Sequence, residues 1–157
     1  QLRRVVDGEG PLPESLLFKR VARAWGLERT GARITERLRG LVPRDIRRTD
    51  EGDTTFYWPT GTDPKAWSGF RAAGDADDSK RHVADVPAEE IASLVRHVLE
   101  SAGSTPRSDL AKAVCRVVGM ARTPADAEAR VIAAIDGMIT AKTLTDAGGY
   151  IRPASRG

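Results

Sequence analysis

Cysteine and histidine are nearly missing from this chain: one Cys115, with His82 and His97, among 157 residues. A single cysteine excludes an internal disulfide, and neither a Cys-x-x-Cys nor a His-x-x-x-His spacing is present to hold zinc. No apolar run approaches the roughly 18 to 20 residues that cross a bilayer. The opening QLRRVVDGEG is basic but lacks the apolar stretch and small-residue cleavage site of an export signal, and a start at Gln1 is what an excised fragment would show. Together these absences predict a cytoplasmic domain without metal, cofactor, membrane or small-molecule substrate.

What is present fits a soluble globular protein, with 40% hydrophobic and 30% charged residues. The net charge is only +3, but it is unevenly placed. Between Arg29 and Arg48 stand seven arginines against Glu36 and Asp45, a net +5 within twenty residues. Basic character is therefore concentrated in the first third of the chain.

A pattern occurs twice. EGPLPESLLFKRVARAWGLERTGARI (9–34) is followed by AGSTPRSDLAKAVCRVVGMARTPADAEARVIAAI (102–135). A constant offset of 93 lays Gly10 on Gly103, Leu17 on Leu110, Val21 on Val114, Ala24 on Val117 and Gly26 on Gly119. A repeat of small, apolar and glycine positions predicts two structurally similar units. The expected boundaries are a first unit at 1–59, a linker at 60–88 and a second unit at 89–157.

In the first unit, Leu2, Val5 and Val6 mark the end of an opening helix, stopped by DGEGP. Pro11 and Pro13 suit a helix start, and Leu17, Val21 and Ala24 then recur as an inward stripe of a second helix that ends at Gly26. Ile34, Leu38 and Leu41 define a third helix that turns Arg33, Glu36 and Arg39 outward, with Arg37 at the boundary, and stops at Pro43. DIRRT and TFYW read as strands around the turn DEGD. In the second unit Ile91, Leu94, Val95, Val98 and Leu99 give the clearest helical face, ended by Gly103. Thr105 with Pro106 is expected to cap the next helix, which turns Leu110, Val114 and Val117 inward, and TPAD at 123–126 has the form of a capping box. Val131, Ile135 and Met138 face inward on the third helix, and TLTDAGGYI supplies two more strands, with Pro153 in the place that Pro59 holds. The fold class expected is α+β, mainly helical, as tandem winged-helix units.

The linker GDADDSK reads as an exposed stretch, with Trp67 and Phe70 expected to anchor it. Its acidic residues Asp75, Asp77 and Asp78 near Lys80 superficially suit a divalent ion, but a solvated acidic linker is the favoured reading. Cys115 is expected to be a structural thiol, since no basic partner accompanies it. Trp25 is assigned to the core, His97 to the surface or boundary, and Phe56, Tyr57 and Trp58 alternate so that only part of the set faces outward.

With EGPL, RVARAWGLERTGARI and FYWP in this order, the sequence resembles the domain of unknown function 3320. That domain lies C-terminally in large bacterial proteins with a superfamily-one helicase core and often a very-short-patch-repair-type nuclease. The resemblance implies a DNA-handling, phage-defence-like parent protein and supplies no catalytic residue. The chain has no G-x-x-x-x-G-K-[ST] loop either, so an ATPase would lie elsewhere. No catalytic constellation is expected here.

The arginines then suggest phosphate contact, because the third helix of a winged helix enters the major groove while its hairpin reaches the backbone. The candidate nucleic-acid contacts are Arg29, Arg33, Arg37, Arg39, Arg47 and Arg48. The other reading is a solvated helix face with local pairs such as Arg33 to Glu36. The third helix of the second unit exposes Glu128, Arg130 and Asp136 and is close to neutral, which favours scaffolding or protein docking there. The function expected is a non-catalytic DNA-binding accessory module of a helicase-nuclease. The alternative is a module that docks on the parent helicase core or a partner protein without touching DNA.

Overall fold

The computed structural model describes residues 1–155 of the chain; residues 156–157, assigned by sequence to the second unit, lie outside the described residues. The fold is α+β, and the chain divides into two compact units, Gln1–Trp67 and the remainder from Ser68. No helix among the described residues is long and apolar enough to cross a membrane.

The first unit runs α1 (Leu2–Glu9), β1 (Leu12–Pro13), α2 (Glu14–Ala24), α3 (Ala32–Leu41), β2 (Arg48–Glu51) and β3 (Thr54–Tyr57). Its sheet is antiparallel in the order β1-β3-β2, with Tyr57 opposite both Leu12 and Arg48. The paired prolines explain the junction at β1. Pro13 holds an extended backbone at φ −73°, makes the last sheet pairing, and hands over to Glu14, whose carboxylate suits the positive end of α2. Leu17, Val21 and Leu38 are fully buried in the core that these elements enclose.

The second unit runs α4 (Ala88–Ala102), β4 (Thr105–Pro106), α5 (Arg107–Val117), α6 (Ala125–Thr140), β5 (Leu144–Ala147) and β6 (Tyr150–Pro153), with sheet order β4-β6-β5. The offset of 93 carries β1 onto β4 and α2 onto α5, residue for residue. Gly10 and Gly103 both cap the opening helix of their unit. Ile91, Leu94, Val95, Val98 and Leu99 are all buried, as are Val131, Ile135 and Met138.

The stretch 60–88 packs locally on both units. Trp67 stands edge-on to Trp58, with ring centroids 5.5 Å apart, whereas Phe70 packs on the second core and lies 4.5 Å from the His97 ring. Ala73 and Arg81 donate their backbone N–H groups to Val117 and Val118 at the end of α5. Gly119 permits this approach: its φ is +106°, and a Cβ there would lie 2.8 Å from Ala73 Cβ and from Lys80 Cγ. Asp75, Asp77 and Asp78 are exposed, and Asp77 pairs with Lys80 at 3.2 Å.

Several expectations are corrected. Ala24 and Leu41 are exposed because each ends its helix, where the last turn projects past the core. Trp25 is the C-cap of α2 rather than core, 49% exposed, and donates its indole N–H to Gln1 Oε1 at 3.0 Å. Phe56, Tyr57 and Trp58 are all buried, since β3 is the central strand and Trp67 covers the face that alternation would leave outward. Helices α5 and α6 begin one residue later than the capping readings require. Pro106 and Pro124 occupy their N-caps, leaving Thr105 in β4 and Thr123 without a capping role. Arg130 is half-buried rather than solvated, because the turn at Val83–Asp85 crosses α6 and takes hydrogen bonds from its guanidinium at Val83 O (2.8 Å) and Val86 O (2.6 Å).

Candidate nucleic-acid interface

Helix α3 is held to the first core by one fully buried side chain, Leu38, with Ile34 partly buried beside it. Its counterpart α6 buries four residues. This difference leaves most of α3 facing solvent, and it is the α3 surface that carries the arginines. Arg33 and Arg37 are exposed and stand one turn apart on the same face. Both acids of the basic stretch are occupied elsewhere: Glu36 accepts from Arg39 Nη1, not from Arg33, and Asp45 accepts from both terminal nitrogens of Arg3 at 2.7 and 3.0 Å.

Arg39 itself is exposed but engaged by Glu14. Its Nη2 donates to Glu14 Oε1 at 2.6 Å, and the Tyr57 hydroxyl donates to Glu14 Oε2 at 2.9 Å. The Arg39 guanidinium, assisted by Tyr57, holds the Glu14 carboxyl below the usual carboxylate range, while burial pushes the Tyr57 phenol up to about 12. These three side chains tie the start of α2 to α3 and β3.

Beside this network lies a cleft of about 380 Å³ whose lining includes Arg39, Arg44, Arg48, Pro43 and Tyr57. Arg44, which lies in the basic run but not among the six candidate contacts, thus joins two that are. The signal for it was available: it follows Pro43, which ends α3 and turns the chain back toward β2. Arg47 and Arg48 are adjacent on an extended segment and so project to opposite sides. Arg48 faces the cleft, while Arg47 reaches to 4.0 Å from Asp63. Arg29 lies apart, lining a second cleft with Lys19 and Arg23. The six predicted residues are therefore not one patch. Arg39 and Arg48 share the cleft, Arg33 and Arg37 share a helix face, and Arg29 and Arg47 stand separately.

The cleft is lined by three arginines, Arg39, Arg44 and Arg48, whose guanidinium forks are of the kind that match phosphate oxygens. Arg44 and Arg48, like Arg33 and Arg37, form no ion pair among the described residues. In the second unit Arg107 pairs with Asp136 and Asp146 at 3.3 and 2.9 Å. Cys115 is buried and its thiol is pushed up by desolvation. Among the described residues no three His, Cys, Asp or Glu side chains come together so as to hold a metal ion.

Sequence reasoning missed the ion pair of Arg81 and Glu90, whose side chains are 4% and 1% exposed. Two residues nine apart across a proline carry no periodic signal, and their pairing is set by how the chain before α4 folds back.

Residues 1–36 match the family described as Protein of unknown function (DUF3320). The match covers α1, β1, α2 and the start of α3, and includes Arg29 and Arg33 but none of the cleft residues. No curated protein matches the chain, and no solved structure does.

Proposed function

We propose that this chain is a non-catalytic accessory module of tandem winged helices, and that its first unit contacts DNA on behalf of a bacterial helicase-nuclease. The observation that carries the reading is the presentation of α3: a helix fastened by Leu38 alone at full burial, with Arg33 and Arg37 outward and the Arg44 and Arg48 guanidinia close by, none of the four ion-paired. Three helices followed by a hairpin, with a short strand before the second helix completing the sheet, is the order that supports a winged helix in each unit. Arg33 and Arg37 take the groove-facing role, and Arg44 and Arg48 take backbone phosphates. Arg39 serves the Glu14 network, and Arg29 and Arg47 are peripheral. The second unit acts as a scaffold.

The match of residues 1–36 to DUF3320 supports the family resemblance, and the helicase-nuclease parentage is what that resemblance implies. In such a chain the helicase core, with its ATPase loop, is a separate domain and this module's neighbour in the cytoplasm. The test is fluorescence anisotropy of a labelled duplex of about 20 base pairs, titrated at several salt concentrations. Neutralising about three to five phosphates gives a slope of log K against log salt of roughly −3 to −4.5. An absence of binding at the lowest salt removes the reading and leaves docking on the parent protein in its place.

A further inference from the structure

Four large hydrophobic side chains are exposed among the described residues, and three of them, Trp25, Leu27 and Leu41, line one groove of about 490 Å³. Their exposures of 49%, 40% and 54% are too high for side chains finishing a core. Ile34 and Leu38 complete the apolar lining, and Arg37 is its one charged member. The groove runs between the end of α2 and the apolar stripe of α3 that continues from the core. Clustering of this kind marks a contact surface, where isolated exposed leucines would not.

The surroundings state what chemistry the occupant has. Leu27 also borders the neighbouring cleft, which is lined by Lys19, Arg23, Arg29 and a single acid, Glu28. With Arg37, this makes four cations lining the apolar slot and the cleft next to it, and none forms an ion pair among the described residues. An apolar slot with a cationic border complements a helix with leucine-type anchors on one face and carboxylates on its flanks. A nucleobase platform would need stacked aromatic faces, and here four of the five apolar side chains are aliphatic. A second copy of this surface would oppose arginine to arginine.

We propose that the groove of Trp25, Leu27, Ile34 and Leu41 receives an acidic amphipathic helix of a partner protein. This site shares no lining residue with the cleft of Arg39, Arg44 and Arg48, but it shares Arg37 with the DNA reading, so Arg44 and Arg48 are the residues that separate the two.

The probe is a fluorescein-labelled peptide of about 18 residues, long enough for five helical turns, with leucines at i, i+3, i+4 and i+7 spacing and glutamates elsewhere. Its twin replaces every glutamate with lysine. The 157-residue chain should bind the acidic peptide at least about tenfold more tightly than the basic one. Leu41→Asp, at an exposed site that the core does not need, should weaken the acidic peptide by about tenfold or more, and Trp25→Ala similarly. Arg44→Ala with Arg48→Ala should lower duplex binding and leave peptide binding unchanged, which separates failure of one reading from failure of the other. The proposal is overturned by equal affinity for the two peptides, or by indifference to Leu41→Asp. It is also overturned if Leu41→Asp abolishes binding of a thymidine oligonucleotide, or if it abolishes concentration-dependent self-association in sedimentation. Those last two results would assign the groove to single-stranded nucleic acid or to a second copy.

Discussion

Replacing Glu90 by alanine should be among the most damaging single changes in the second unit. The Glu90 carboxylate, 1% exposed, accepts from Arg81 Nη1 at 3.0 Å, from Arg81 Nη2 at 2.7 Å and from the Arg71 backbone N–H at 2.9 Å. Its removal leaves Arg81, 4% exposed, with the Arg71 carbonyl at 2.6 Å but without its paired carboxylate. Breaking a buried pair from one side costs about 3 to 5 kcal/mol. In a domain near one hundred residues each kcal/mol moves Tm by roughly 4 to 8 °C, so the transition of the second unit should fall by about 12 °C or more. The diagnostic control is the double variant Arg81→Met with Glu90→Leu. It removes both charges and should recover the loss in part, short of about 1 to 3 kcal/mol for the orphaned Arg71 N–H. Calorimetry of the full chain gives the Tm, and hydrogen exchange of residues 71–82 reports whether the segment before α4 has come loose. A Tm loss under about 3 °C for Glu90→Ala, or a double variant no better than the single, would refute the reasoning.

Leu38→Ala should destabilise the first unit by about 2 to 4 kcal/mol, as should Ile135→Ala the second, because both side chains are fully buried. Leu41→Ala, three residues further along α3 and 54% exposed, should stay within about 0.5 kcal/mol, and urea denaturation of the three variants decides whether the helix faces are assigned correctly. Glu14 supplies an acid-side prediction. Its carboxyl is held below its ordinary 4.5 by Arg39, so its stabilising contribution is complete above that value and is lost as pH falls through the lowered folded one. The urea midpoint of Glu14→Gln should accordingly lie below that of the parent at pH 7 and approach it near pH 3, and a constant gap at both pH values would contradict the Arg39–Glu14–Tyr57 network.

The element order was legible in the sequence wherever one residue type does one thing. The offset of 93 works because Gly10 and Gly103 cap helices, Leu17 and Leu110 fill cores, and Gly26 and Gly119 adopt positive φ, at +80° and +106°. Periodicity located the inward faces of α4 and α6, which are packed along their length. It overextended at Ala24 and Leu41, since the pattern of a helix continues past the point where the core beneath it stops. Capping was misplaced by one residue, as proline competes with threonine for the N-cap and wins through its fixed φ. The site was half legible. A count of arginines finds the basic stretch, but Arg39 and Arg44 exchange roles through Glu14 and the turn at Pro43, contacts that depend on residues distant in the chain. Arg130 and the Arg81–Glu90 pair were hidden for the same reason.

The central claim, that cations of the first unit carry DNA affinity, is tested most directly by comparing two sets of substitutions in the salt titration. Arg33, Arg37, Arg44 and Arg48 to alanine should flatten the slope of log K against log salt by about 3 units, and equally on unrelated duplex sequences, because phosphate contacts carry no base information. Arg122 and Arg152 serve as the control in the second unit; both are exposed, and neither has the structural role of Arg130. Their replacement should change the slope by less than about one unit, the contribution of a single phosphate. Equal flattening by the two sets, or a slope that the first set leaves untouched, would contradict the account.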